Sequence, residues 1–465
     1  MEKMEKKIKK ALAALREYGL AQDAKFRLLW HHENSHFIRY ANSGISLNTS
    51  ENLNRLCITV YGDKKQAKTS LVMDPSNLEQ MKKMFDQALA TLEFSSKLSY
   101  QPTLSAIEGF SDKRCYDADL AEMSSDEMID FVEQATLSLE TDDIVLSGNF
   151  SRGETMLCIM TSLSDDVGFW AATDAQVTLV LSSLKNKWEV NAEQSAYRKK
   201  DLKSRVLHKQ LSFLVDSYLR SKPVQLPLGS YRIVLGAAAT AEYLDLLDWL
   251  ALNGDAVIRL AGMHTKEDLG KQVFSDSFSL YDDPEALKTF AYSHDLWGRK
   301  REKLALYEQG TYRNFSIFQE LADEFGLEAN ATDVPHLNLT LDGGDWEIKD
   351  VRELCAEAAE SEKDILYIPY LHYTGVVNPS QGLVTGSSRF GALLFKQDGS
   401  IKVPYNVRLT NKLTDLFGRG LVKLAQKRVV YNTSQTYGER DPRAVLVPKF
   451  VMLDDIEISH SNDSY

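Results

Sequence analysis

The stretch WHHENSHFIRY, residues 30–40, can be read in two ways, and the choice between them sets the fold class. It contains His32-Glu33-Asn34-Ser35-His36, a literal H-E-x-x-H. On a helix that spacing places two histidines on one face as zinc ligands, with the glutamate as general base. The flanking residues follow a different period. Phe26, Leu28 and Trp30 alternate with Arg27, Leu29 and His31, and His36, Ile38 and Tyr40 resume the alternation beyond Asn34-Ser35. A period of two belongs to a strand. Asn and Ser form turns and are poor in helix interiors, so the two runs predict a β-hairpin with its tip at Asn34-Ser35. A zinc helix would instead carry apolar residues between its histidines and a third ligand downstream. His32 and His36 are therefore expected at or near a hairpin turn, and the literal motif is read as a decoy.

On the N-terminal side, Met4, Ile8, Leu12 and Leu15 share a helical face and Gly19 suits a C-cap. This segment is charged throughout and has no apolar h-region, so no signal peptide is expected. On the C-terminal side, Leu56, Ile58 and Val60, then Ala67, Thr69 and Leu71, form strands about the turn Gly62-Asp63-Lys64. A helix is predicted over 76–92. Residues 96–117 lack a period and read as a connector. Ser124 and Glu127 form a capping box for a helix bearing Met128, Phe131, Val132, Ala135 and Leu139. Residues 144–147, 155–163, 168–173 and 176–183 read as an antiparallel meander. A long amphipathic helix is expected over 196–221, with Leu202, Val206, Leu211, Leu214 and Val215 inward.

Pro223 and Pro227 mark the main boundary. It divides an N-terminal α/β domain, 1–222 with a sub-boundary near 96–117, from a C-terminal domain, 223–465. The second half opens with a strand over 231–235 and a helix over 238–252. Short strands with Gly, Asn and Pro turns follow, with helices near 314–325 and 347–361. The prediction is an α+β fold with a β-rich C-terminal domain.

Composition bounds the function. A chain of 465 residues exceeds one ordinary core, and 43% hydrophobic with 26% charged residues is a globular composition. A net charge of −12 excludes a global basic field for nucleic acid or an anionic membrane. The short runs Arg198-Lys199-Lys200 and Arg299-Lys300-Arg301 read as solvated helix ends. No run of about 18 apolar residues exists to span a membrane. Cys57, Cys115, Cys158 and Cys355 show no C-x-x-C pairing and fit the reduced thiols of a cytoplasmic protein.

Other candidate chemistry is sparse. Ser182-x-x-Lys185 matches a serine–lysine pattern but sits at the end of a predicted strand. Gly386-Ser387-Ser388 lacks the second glycine of a nucleophile elbow. No phosphate-binding glycine loop is present. Asp282-Asp283 precedes a proline and reads as a loop start with solvated charges. His372, beside Tyr373, and Arg389, in a glycine-rich turn, are candidates to line a peptide-binding cleft or to make structural hydrogen bonds.

Four stretches, taken in order, resemble the TldD/PmbA family, long labelled candidate modulators of DNA gyrase. They are RYANSGISLNTSENLNRLCITVYGDKKQAKTS, VQLPLGSYRIVLGAAATAEYLDLL, GKQVFSDSFSLYDDP and VVNPSQGLVTGSSRFGALLFKQDGSIKVPYNVRLTNKLTDLF. In that family, TldD members carry an H-E-x-x-x-H zinc helix directly after the "VVL" strand, with a cysteine near the C-terminus. PmbA members, also called TldE, lack these groups and pair with TldD as the second subunit of a peptidase. The resemblance places the zinc helix on EYLDLLDWLALNGD, with Asp245 and Leu250 at the histidines and Leu246 at the glutamate. No cysteine lies beyond Cys355. The chain therefore resembles the PmbA/TldE branch. That implies a cytoplasmic, metal-free and cofactor-free subunit with no catalytic residues of its own, partnered by a TldD-like zinc subunit or by itself, and acting on peptides. The alternatives are a homodimeric peptide-binding scaffold and a self-sufficient zinc peptidase through His32, Glu33 and His36. Residue reading agrees on the helix, since Tyr243, Leu244, Leu247 and Leu250 make an apolar stripe suited to a core.

Overall fold

The computed structural model describes residues 1–434 and 440–465. Seven strands form the first sheet: β1 (Lys25–Ala41), β2 (Gly44–Gly62), β3 (Lys65–Val72), β4 (Phe110–Cys115), β5 (Ile144–Thr161), β6 (Ser164–Ser183) and β7 (Glu189–Ala196). Their order is β3-β2-β1-β5-β6-β4, with β7 also paired to β6. The strand period around residue 30 thus runs on without a break. Asn34 pairs with Asn52 on one side and Glu154 on the other, and Ser35 with Glu51 and Gly153. The expected tip at Asn34-Ser35 is wrong. The turn lies at Asn42 and Ser43, both at positive φ of 50° and 60°, as a two-residue hairpin turn requires. Pairing along both edges of β1 outweighs the local turn preference of two small polar residues.

Two further expectations change for the same reason. The four-strand meander is two long strands, β5 and β6, and the connector at 96–117 contributes β4, parallel to β6. Residues 189–196 are strand, so the helix begins only at Ser204 and ends at Arg220, and Val206 faces solvent. Other readings hold in place. The capping box of Ser124 and Glu127 is formed in both directions. The first helix, Glu2–Leu20, buries Ile8, Leu12 and Leu15 against Phe26, Leu28 and Trp30 of β1. Gly19 is no C-cap. A Cβ there would lie 2.5 Å from the Phe26 ring and 2.6 Å from that of Phe85, so the glycine permits close packing of the helix on the sheet.

Two sheets build the second half. In the ten-stranded sheet, Phe450–Ser461 runs antiparallel to Gly229–Gly236, and Ile365–Ile368 runs parallel to the latter. One end of this sheet is the hairpin of Tyr370–Asn378 with Leu383–Arg389. The six-stranded sheet ends on Arg428–Asn432. The helix Ala237–Leu247, continued by a π-turn over Asp248–Leu252, buries Tyr243, Leu244, Leu247 and Leu250 in the largest core. The expected apolar stripe is a core face. A second core joins the halves, because Ile38 and Phe150 of the first sheet share it with Ile365, Phe395 and Phe450. No described helix is long and apolar enough to cross a membrane.

The acidic pair before Pro284 differs from expectation. Asp282 is buried and accepts two bonds from Arg301, at 2.6 and 2.7 Å, and one from the Asn338 amide at 2.7 Å. Arg301 is likewise buried rather than a solvated helix end. Sequence composition could not show this, since the partners lie 19 residues apart on separate loops and strands. Removing one member of such a pair leaves an uncompensated charge in a low-dielectric site. Arg301→Met is expected to destabilise the fold by about 3–5 kcal/mol, and Arg301→Met with Asp282→Asn by clearly less. Denaturant unfolding of both variants checks this; equal losses would assign the cost to packing.

Candidate functional site

The strand Gly229–Gly236 is apolar at Ile233, Val234 and Leu235 because it lies between two neighbours in the centre of its sheet. It delivers the helix Ala237–Leu247 directly. One row of that helix is core, and another carries Glu242, Asp245 and, in the π-turn, Asp248. These carboxylates face the junction where strands of the ten-stranded and six-stranded sheets approach β7 of the first sheet. Glu242 accepts a bond from the Thr374 hydroxyl at 2.9 Å. Asp245 lies 3.6 Å from an Arg443 Nη.

Asp245 and Asp248 line a small cavity with His336, Thr433 and Arg443. Its volume is ≈ 10 Å³, the space of one water-sized group. His336 is buried, and its Nε2–H donates to the Thr289 carbonyl at 3.2 Å. The other ring nitrogen, Nδ1, is then a lone pair, and it has no partner among the described residues. Burial pushes the His336 pKa down to about 3, so the ring is neutral at physiological pH. Burial also pushes Asp248 up to about 7, while Arg443 pulls it back.

A second acidic group lies nearby. Burial and the charge of Glu242 raise Glu193, on β7, to about 8. Burial also raises Glu242 itself, and both act on the hydroxyls of Tyr370 and Tyr431. The two residues singled out for a cleft do meet. Arg389 donates to His372 Nδ1 at 3.2 Å and to Glu189 of β7 at 2.9 Å. Burial, then the Arg389 charge, lowers the His372 pKa. The pair thus spans the junction at its rim.

The literal H-E-x-x-H is dispersed. Four residues along a strand separate His32 and His36 by about 13 Å, and Glu33 lies on the opposite face from both. His32 Nδ1 bonds Asn54 at 3.1 Å, and His36 bonds Ser50 and Asn48 at 2.6 and 2.7 Å. Glu33 accepts from Arg55 at 2.8 Å and from the Arg440 amide at 3.0 Å. The hairpin-turn placement of these histidines is corrected: they are mid-strand. At the positions given to a zinc motif, Leu250 is fully buried and Leu246 packs on the core. Among the described residues no three His, Cys, Asp or Glu side chains are placed to hold a metal ion. Ser182 is in β6 and Lys185 in the turn beyond it, where the Lys185 amide donates to Asp143. Ser388 is buried, its hydroxyl accepting from the Val407 amide at 2.9 Å.

Sequence reading missed Glu193, Glu242, Asp248 and His336. The spacing of Glu242, Asp245 and Asp248 was a signal, since residues three apart share a helix face. Glu193 and His336 gave none; each reaches the junction from a distant strand or loop. Because its folded pKa stands above the unfolded value near 4.3, Glu193 favours folding at low pH, and its contribution is lost as pH rises towards about 8. Glu193→Gln is therefore expected to melt roughly 1–3 °C above the wild type at pH 9, with no gain at pH 5. Thermal melts at the two pH values decide it; a gain equal at both would remove the carboxyl from the explanation.

Residues 228–460 match the family model described as the PmbA/TldA metallopeptidase C-terminal domain, half of the chain. Three solved structures share the fold. TldE from Thermococcus kodakarensis has a TM-score of 0.81 at 15% identity, over 97% of this chain and 100% of that one. A candidate modulator of a DNA gyrase from Thermotoga maritima gives 0.75 at 15% identity, over 97% and 99%. A candidate modulator of DNA gyrase from Bacteroides thetaiotaomicron gives 0.76 at 17% identity, over 98% and 99%. No curated protein matches the sequence.

Proposed function

Because the chain belongs to the PmbA/TldD metallopeptidase family, we propose that it is a TldE-like, non-catalytic subunit that holds peptide while a TldD-like partner supplies zinc chemistry. One observation carries the reading. The helix that follows the central strand carries Asp245, Leu246 and Leu250 at the positions the resemblance assigns to the family's zinc motif, and Asp245 faces Arg443. Leucine has no lone pair for a metal and cannot take a proton from water. A zinc site does not fit these side chains.

Holding a peptide needs less. Tyr370–Asn378 is an end strand of its sheet among the described residues, and an extended peptide gains main-chain hydrogen bonds by adding to such an edge. Its partner subunit, or a second copy, would close the cleft from the other side. A cytoplasmic setting fits the unpaired spacing of the cysteines, of which Cys115 and Cys158 are buried thiols.

Alone, the purified chain is expected to bind no stoichiometric zinc after chelator dialysis and to cleave no unstructured peptide. With a zinc-bearing subunit of the family, light scattering should show a mixed dimer, and cleavage should rise above that of the zinc subunit alone. Chelator-sensitive cleavage by the pure chain, or no effect on the zinc subunit, would refute the assignment.

A further inference from the structure

The cavity between Asp245, Asp248, His336, Thr433 and Arg443 has an unusual balance of groups. Two carboxylates and the His336 Nδ1 lone pair can only accept when ionised or neutral respectively, and Thr433 can do either. Among the described residues Arg443 is the one cation lining it; its Nε is buried without a partner there, and an Nη faces Asp245 at 3.6 Å. The Nδ1 acceptor is more than nine-tenths buried, yet unpartnered among the described residues. A buried acceptor without a donor costs about 1–3 kcal/mol, so a ligand that donates has something to gain there. The room is that of one water-sized group, which admits an ammonium and is too small for a guanidinium or a phosphate.

Resting on the peptide-holding reading, we propose that this cavity recognises a primary ammonium of the bound peptide, with His336 Nδ1 and the Asp248 carboxylate accepting two of its N–H bonds. Thr433 is placed to take the third. The ammonium is either the peptide's N-terminus or a lysine side chain, which offer the same chemistry. The carboxylates then serve as a charge anchor beside the sheet edge rather than as acid or base.

The test uses the full chain, with histidine resonances followed by NMR at pH 8 and His336 assigned through His336→Gln. n-Butylammonium chloride is titrated against n-butanol and sodium chloride at matched ionic strength. The ammonium should shift the His336 signals with about millimolar affinity, and the two controls should not. Asp248→Asn, with its folding checked by melting, should weaken that affinity roughly tenfold. Shifts caused equally by butanol or sodium, or none from butylammonium, overturn the proposal. Tetra-alanine amide, its N-acetyl form and N-acetyl-Ala-Lys-Ala-Ala amide then separate the two sources. Preference for the free terminus or for lysine supports the cavity and names the source. If the N-acetyl peptide without lysine binds as tightly as the others, the ammonium site is wrong while peptide holding stands. If butylammonium binds and no peptide does, the cavity stands and the peptide-holding reading falls.

Discussion

The guanidinium of Arg440 ties the two halves of this protein together. It donates twice to Asp174 of β6, at 2.8 Å each, and once to the Ser151 hydroxyl of β5 at 2.9 Å, while its own amide reaches Glu33 of β1. Asp174 and Glu33 are each 1% exposed. Buried carboxylates on a sheet face are tolerable only when paired, and losing one partner costs several kcal/mol. The approach is close enough that a Cβ at Gly153 would lie 2.5 Å from Arg440 Nε. A segment from the far end of the chain is therefore held on the face of the first sheet, within reach of strands that start at residue 25.

That clasp has a chemical consequence. Glu33, the glutamate of the H-E-x-x-H, belongs to it together with His31 just before the motif: Arg440 contributes its amide to Glu33 and its carbonyl to His31. The motif is consumed by structure. The groups left facing the junction are carboxylates on the helix Ala237–Leu247 and its π-turn, with Glu193 opposite. Burial raises Glu193, Glu242 and Asp248, and neighbouring carboxylates add to the rise in each. Such a surface accepts hydrogen bonds and positive charge.

Local signals were legible wherever one short segment carried the whole cause. The capping box at Ser124, the apolar face of Ile8, Leu12 and Leu15, and the stripe of Tyr243, Leu244, Leu247 and Leu250 each needed only neighbours in sequence. The α+β class with strands crowded into the second half followed from the same periodicities. Asn34-Ser35 misled because both residues favour turns in isolation, whereas in the fold β1 is paired along both edges. Residues 96–117 hid β4 because a six-residue strand on a sheet edge, FSDKRC, need not alternate clearly.

Read alone, the sequence carried most element types, the family resemblance and the identity of the side chains at Asp245, Leu246 and Leu250. It did so because helix period, strand period and ligand chemistry are properties of single residues at fixed spacing. Packing of the whole chain makes Asp282 and Arg301 a buried pair, closes Arg440 on Asp174, and sets His336 and Asp248 around one cavity. Those contacts join residues between 19 and 266 positions apart in the case of the two ion pairs. No local pattern encodes such a meeting. It exists because burying the apolar faces of three sheets and their helices leaves those charges one arrangement in which each finds its partner.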